Sequence, residues 1–321
     1  MRGARDMQLS LNVIPECPLG EIVELAVRAE SFGFDRCWVY DEGLATRDVH
    51  VTMAAIGAAT TMLQIGPGIT NPYTRHPAQT ASAVASLDEM TGGRAFLGIG
   101  AGGSLTLDPI GISRLRPLAA VRDSIEVSRK LFAGSAVDHR GPTVSLSSAR
   151  MGYGRAEIEI WLAGRGPKML ALGGEIADGV MLDFIYKPSL ASYVERVRSR
   201  NQGARICYST AIVTGEDDLE FVRPHMTYRL VDSPAEIRGA IGMSDEDVAR
   251  IRAAMSDGLE AAASHVRDEW VLPFVISGSV TECAAEVDRL CSAHGIEEFL
   301  VPMFDMADQH DYLTRLASAL R

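Results

Sequence analysis

Hydrophobic and polar positions recur along the chain in one unit: an amphipathic helix, a glycine, then a short apolar strand. Ile22, Leu25, Ala26, Ala29 and Phe32 follow helical spacing, Gly33 is placed to end that helix, and residues 36–40 read as a strand. The pattern returns with Gly93 before 95–97, Gly179 before 180–182 and Gly295 before 299–301. Ser279 with Glu282 forms a capping-box pair that opens a helix ending near His294. Further strands fit 8–14, 63–69, 158–162 and 206–213, which brings the strands to eight, most of them separated by helical segments. Eight alternating units predict an α/β protein folded as a (β/α)8 TIM barrel rather than an open sheet.

Two stretches break the rhythm. Residues 134–157 carry Gly141-Pro142 and Gly152-Tyr153-Gly154 and are too long for a simple connection, so an excursion at one barrel end is expected. Residues 215–270 are helix-rich, open with Glu216-Asp217-Asp218, and are expected to form a cover or an interface. No low-complexity linker divides the chain, so a single domain over 1–321 with these two insertions is expected.

Composition narrows the function classes. With 31 Lys and Arg against 42 Asp and Glu, the formal charge is −11, which argues against nucleic acid or an anionic membrane as the main partner. Hydrophobic residues make up 47%, enough for a sizeable core. No apolar run approaches the roughly 20 residues of a spanning helix, and Met1 to Asp6 are not followed by a leader-like stretch. Five cysteines without Cys-x-x-Cys spacing fit neither a disulfide framework nor a zinc site, and Cys283 and Cys291 would lie about 12 Å apart on one helix. The expectation is a soluble cytoplasmic protein. Seven scattered histidines with no His-Glu-x-x-His give no metal site, and no Gly-x-Ser-x-Gly elbow is present.

Four segments could carry chemistry. Residues 98–103, Gly-Ile-Gly-Ala-Gly-Gly, contain a formal G-x-G-x-x-G after a strand. A dinucleotide fingerprint also needs a helix on its last glycine and an acid ending a second strand. Here the next helix is expected near Pro117, and Asp123 falls inside it, so the glycines instead mark a close approach to the backbone at a strand end. In the second segment, Ala163-Gly164-Arg165-Gly166-Pro167-Lys168 leads from a strand into a helix. It fits either an ordinary tight loop or a phosphate site with Arg165 and Lys168 adding charge. The third, Gly66-Pro67-Gly68-Ile69-Thr70-Asn71-Pro72, is a bulge or an active-site wall. The fourth, Tyr40-Asp41-Glu42, supplies solvated loop acids or an acid–base pair.

Together with Arg47-Asp48-Val49, Gly92-Gly93-Arg94 and Gly173-Gly174-Glu175-Ile176-Ala177-Asp178-Gly179, these segments resemble the luciferase-like monooxygenase superfamily. Within it the likeness is to the deazaflavin (coenzyme F420)-dependent enzymes typified by methylenetetrahydromethanopterin reductase. The resemblance implies a bacterial-luciferase-like TIM barrel and an oxidoreductase that moves a hydride between the deazaflavin C5 and an electrophilic carbon of a small organic substrate. It places a non-prolyl cis peptide at Gly68 and Ile69 against the ring, and Asp41 beside the ring's pyrimidine end. It further implies Gly100, Ala101 and Gly102 along the cofactor, and Ala163, Gly164, Arg165 and Gly166 on its phosphate. Two positions depart from the pattern: Glu42 replaces a frequent histidine, and Gly103 replaces a frequent acid, so the usual proton donor is missing. Glu42 is the candidate replacement acid and Glu16 the next. FMN is the alternative cofactor, in a monooxygenase, and a deazaflavin-binding protein without turnover is a second alternative. Homodimerisation is the family's habit, here through the Ala- and Met-rich helices expected at 51–61 and 80–90. An acidic chain repels a polyanionic cofactor, so Arg165, Lys168 and the helix start behind Gly166 are the positive groups expected where it docks.

Overall fold

The computed structural model describes residues 7–304 and 308–320. Eight parallel strands form a nearly closed barrel: β1 (Gln8–Val13), β2 (Arg36–Val39), β3 (Gln64–Pro67), β4 (Leu97–Ile99), and, after the hairpin of β5 (Val137–Arg140) and β6 (Ser145–Ala149), β7 (Ile160–Ala163), β8 (Gly179–Asp183) and β9 (Arg205–Ser209). Beyond β10 (Ile212–Val213) and β11 (Ile276–Ser277), β12 (Glu298–Met303) completes the ring against β1 and β9. Neighbours in the barrel follow chain order, and the β3–β4 seam is joined by bridges between Ile65 and Ala95 and between Thr70 and Ile99.

All eight expected barrel strands are present, with three differences in detail. The fourth begins at Leu97 rather than Ala95. The expected strand 206–213 is interrupted after Ser209, and its remainder, β10, leaves the barrel to pair with β11. A short helix, Ser104–Leu107, precedes the one expected near Pro117, because the glycines before it leave the chain free to turn at once.

The helices bury the faces their spacing predicts. Leu19–Ser31 turns Ile22, Leu25, Ala26 and Ala29 inward, and Val280–His294 starts on the reciprocal Ser279–Glu282 capping box and stops at Gly295 with φ +59°. The 134–157 excursion is the antiparallel β5–β6 hairpin. Residues 215–270 fold into helices, the longest being Glu216–Val231. Among the described residues no helix is long and apolar enough to cross a membrane, and no cluster of His, Cys, Asp and Glu could hold a metal ion.

The barrel interior is filled in layers. At the N-terminal strand ends the buried Arg36 meets Glu159 at 2.6 Å and Glu298 at 3.3 Å, and Glu298 also accepts from Ser10 Oγ and Trp38 Nε1. Above this ionic floor Trp38, Phe96, Trp161, Met181, Cys207 and Leu300 pack together, with Trp38 set edge-on to Phe96 and Trp161. The ring is therefore closed below, and ligand access is left to the C-terminal strand ends.

Candidate active site

A cavity of about 520 Å³ opens over those C-terminal ends, within the size range of small-molecule sites. Strand ends supply most of its wall. Asn12 comes from β1, Tyr40, Asp41 and Glu42 follow β2, Gly68 and Ile69 follow β3, and Ala101 and Gly102 follow β4. Ala163, Gly164 and Arg165 come from the end of β7, Met181 and Asp183 from β8. The helical insertion adds Tyr228, Arg229, Asp232 and Arg252, so 215–270 does cover this face.

The Gly68–Ile69 peptide bond is cis, as the resemblance implies. Asn12 Nδ2 donates to the Gly68 carbonyl at 3.0 Å, while Asn12 Oδ1 is buried with no partner. Thr70 Oγ1 donates to Asp41 Oδ2 at 2.6 Å, fixing the carboxylate that closes β2. Asp48 caps the helix Val49–Ala59 through the amides of His50 and Val51, and Arg47 donates to the carbonyls of Pro15 and Glu16, which ties the β1 and β2 loops together.

Glu42 accepts from Thr106 Oγ1 at 3.1 Å. Burial holds its carboxyl above the ordinary carboxylate range; Asp41 and Glu16 push the same way, against the Thr106 hydrogen bond and the Arg229 charge. Arg229 is 3% exposed and pairs with Asp183 at 2.9 Å. Burial raises the Tyr40 phenol well above its usual range and the Tyr228 phenol in the same direction, so both are proton-bearing donors. Behind them His225 stacks on Phe304 at 4.0 Å, and burial together with Arg229 pushes its imidazole down to about 3, leaving it neutral.

Of the residues expected at the site, Asp41, Glu42, Gly68, Ile69, Ala101, Gly102, Ala163, Gly164 and Arg165 line the cavity together. Gly100 lies beneath it, where a Cβ would stand 2.1 Å from Ile69 Cδ1. Gly166 and Lys168 are exposed at the start of the helix Pro167–Ile176, beyond the lining. Glu16 is also exposed outside the cavity, and its charge reaches Glu42. Sequence reasoning missed Asn12, Asp183, Tyr228, Arg229 and Arg252. Asn12 carried a usable signal, since Gln8, Ser10 and Asn12 alternate with the apolar Leu9, Leu11 and Val13 and so share one face of the strand.

Residues 6–297 match the family model described as luciferase-like monooxygenase. The 5,10-methylenetetrahydromethanopterin reductase of Archaeoglobus fulgidus is 30% identical over 302 residues, covering 89% of this chain and 91% of its own. The enzyme of that name from Methanolobus tindarius is 30% identical over 311 residues, with 88% and 90% covered. The solved coenzyme F420-dependent tetrahydromethanopterin reductase of Methanopyrus kandleri superposes with a TM-score of 0.88 over 98% of both chains at 23% identity, a likeness of fold. With nearly its whole barrel inside the family model, the chain belongs to the luciferase-like monooxygenase family.

Proposed function

We propose that this chain is a coenzyme F420-dependent oxidoreductase acting on a small organic substrate. The observation that carries the reading is a stretch of cavity wall nearly free of side chains, in which Gly68, Gly102, Gly164 and the methyl group of Ala101 line the cavity along with Ile69. A Cβ on Gly68 would stand 2.6 Å from Trp38, and one on Gly164 2.6 Å from Met169, so the backbone itself forms this wall and a flat ring can lie against it. The unpartnered Asn12 Oδ1 beside it is a buried acceptor that a ring N–H can satisfy. The residues therefore fit the group. Archaeal relatives named as methylenetetrahydromethanopterin reductases support the same assignment.

When bound, the deazaflavin exchanges a hydride at its carbon 5 with an electrophilic carbon of the substrate. Ile69 would support the ring face and Asp41, steadied by Thr70, its pyrimidine end. Ala163, Gly164, Arg165 and the helix start at Gly166 would hold the phosphate, with Lys168 adding charge. Burial makes Glu42 hold its proton more tightly than an exposed carboxyl, and it stands at the cavity wall, so it is placed to deliver that proton to the substrate. We further propose a cytoplasmic homodimer joined through the helices Val49–Ala59 and Pro77–Thr91, which leave Val51 and Met90 more than half exposed.

Fluorescence titration of the purified protein with oxidised F420 and with FMN tests the cofactor. Saturable F420 binding, followed by reductive turnover across enones, imines, alcohols and pterins, is the expected result. Tight binding of FMN alone overturns it, and F420 binding without turnover reduces the protein to a carrier.

A further inference from the structure

The loops that follow β2 and β4 are joined at the cavity wall by two side chains. Thr106 Oγ1, from the short helix Ser104–Leu107, donates to Glu42 Oε2 at 3.1 Å, and both residues line the cavity. Thr106 is 5% exposed, and among the described residues its hydroxyl has no other acceptor. Its rotamer is fixed from the other side. Gly43, at φ +60°, lies so close that a Cβ there would stand 3.2 Å from the Thr106 carbonyl and 3.3 Å from Cγ2. With the methyl packed on Gly43, the hydroxyl of this stiff, β-branched side chain is left to Glu42. The Glu42 backbone is tied as well, its N–H donating to Thr46 Oγ1 at 3.3 Å. Glu42 Oε1, by contrast, engages no donor among the described residues and is not sealed from solvent as the unpartnered Asn12 Oδ1 is, so it is the oxygen open to the cavity.

We propose that Thr106 is the positioning residue of Glu42: its hydroxyl occupies Oε2 and so leaves the carboxyl proton on Oε1, turned to the ligand space. A protonated carboxyl carries its hydrogen on one oxygen, and the bare carbonyl oxygen is the better acceptor. Because the Thr106 hydrogen has no other acceptor, Oε2 takes that part and Oε1 keeps the proton. The same bond sets how readily the proton leaves. Burial raises the Glu42 carboxyl, and Asp41 from its own loop and Glu16 from the β1 loop push the same way, while the Thr106 hydroxyl and Arg229 of the insertion oppose them. The Tyr40 and Tyr228 phenols are within reach of its charge and stay neutral. The inference rests on the oxidoreductase reading, in which the substrate gains a hydride from reduced F420 and this proton from Glu42. Glu42 is then a carboxylate, and the hydroxyl that selected Oε1 stabilises it, so one contact serves both orientation and release.

Thr106→Ser and Thr106→Ala form the decisive pair, since both lose the methyl packed on Gly43 and they differ only in the hydroxyl. Glutamate labelled with ¹³C at the side-chain carboxyl, in protein without ligand, reports the titration of Glu42, and Glu42→Gln identifies its resonance. The Glu42 midpoint should stay near the wild-type value in Thr106→Ser and rise by about one pH unit in Thr106→Ala. Equal midpoints in the two variants would overturn the proposal. With reduced F420 and the panel compound that the wild type reduces fastest, Thr106→Ala should lower kcat about tenfold with KM within about twofold, and Thr106→Ser should restore most of that loss. In the Glu42→Gln background the alanine should cost nothing further, because Thr106 acts through that carboxyl; an additional loss there would also overturn the proposal. Where Thr106→Ala does not fold, Thr106→Val, which keeps the packing methyl, takes its place in comparison with the wild type. If no panel compound turns over, or Glu42→Gln turns over like the wild type, the acid reading is what has failed, and the carboxyl titration alone still decides whether Thr106 holds Oε2.

Discussion

Asn12 and Gly68 are joined across the first and third strands, the amide nitrogen of Asn12 lying 3.0 Å from the Gly68 carbonyl at the foot of the cavity. The bond satisfies a buried carbonyl at the point where β3 leaves the barrel, so Asn12 couples the floor of the site to the wall proposed to carry the ring. Asn12→Ala should cost about 1–3 kcal/mol of stability by leaving that carbonyl unpaired. It should also weaken F420 binding, because the neighbouring Oδ1 acceptor goes with it. Urea unfolding and F420 fluorescence titration measure the two effects; unchanged affinity would remove Asn12 from the site.

Gly98 lies on β4 and Gly100 directly follows its end, and the two differ in what a methyl group would strike. At Gly98 it meets the Pro67 carbonyl at 2.1 Å and the Trp38 ring at 2.8 Å, both held by the barrel. At Gly100 the closest contact is the flexible end of the Ile69 side chain, and the nearest backbone atom, the Ala163 carbonyl, is 3.1 Å away, a milder clash. Gly98→Ala should therefore destabilise by about 3 kcal/mol or more. Gly100→Ala should cost about 1 kcal/mol while reducing F420 affinity more than stability. Equal losses of stability in the two variants would contradict this division.

The barrel was legible because its strands follow a glycine or a polar break and helices such as Leu19–Ser31 keep a 3.6 period, in Ile22, Leu25, Ala26 and Ala29. Glycine clusters marked where strands end, and strand ends are where the barrel keeps its chemistry, so nine of the expected cofactor and acid positions meet in one cavity. The other wall was not legible. Arg229 lies in Glu216–Val231, a helix with buried residues on most sides and Pro224 inside it, so no periodicity distinguishes its cavity-facing positions. Its partner Asp183 is 46 residues away on a barrel strand, a pairing that exists only after the insertion folds over the rim. The break after Ser209 was equally hidden, since 206–213 contains no glycine or proline and the departure of β10 is dictated by its pairing with β11.

Glu42→Gln should slow turnover about 100-fold or more while leaving F420 affinity nearly intact, since the amide keeps the shape and loses the proton. Wild-type turnover should fall as pH rises through the elevated Glu42 value, and the variant should lose that limb. The linked stability effect has a definite sign. Because the folded state holds this proton more tightly than the unfolded chain, whose value is near 4.5, stability falls as pH rises from there through the folded value. Glu42→Gln should therefore match the wild type in acid and exceed it above that window. Thermal midpoints from pH 4 to 8 provide the check, and parallel curves would refute the proton-holding role.

Arg165 is exposed at the cavity edge, directly before the Pro167–Ile176 helix whose first free amides face its N-terminal end. In a chain of net charge −11 it is one of few cations near the proposed phosphate. Arg165→Ala should weaken F420 binding about tenfold, the worth of one charge-assisted hydrogen bond. The phosphate-free deazaflavin riboside should bind wild type and variant alike. If both ligands weaken together, Arg165 is serving the ring or the loop instead of the phosphate.

Arg229 and Asp183 offer a test of how the insertion is fastened to the barrel. Asp183→Asn leaves a guanidinium that is 3% exposed without its counter-charge, and breaking a buried pair in this way costs about 3–5 kcal/mol. Arg229→Met leaves Asp183 at 24% exposure, where water reaches the carboxylate, so the loss should be smaller. The asymmetry follows from which partner is left buried. Replacing both, as Asp183→Leu with Arg229→Met, removes the desolvation cost along with the attraction and should recover most of the stability lost in Asp183→Asn. Denaturant midpoints provide the check: a double variant no more stable than Asp183→Asn would show that the cost does not come from the unpaired guanidinium.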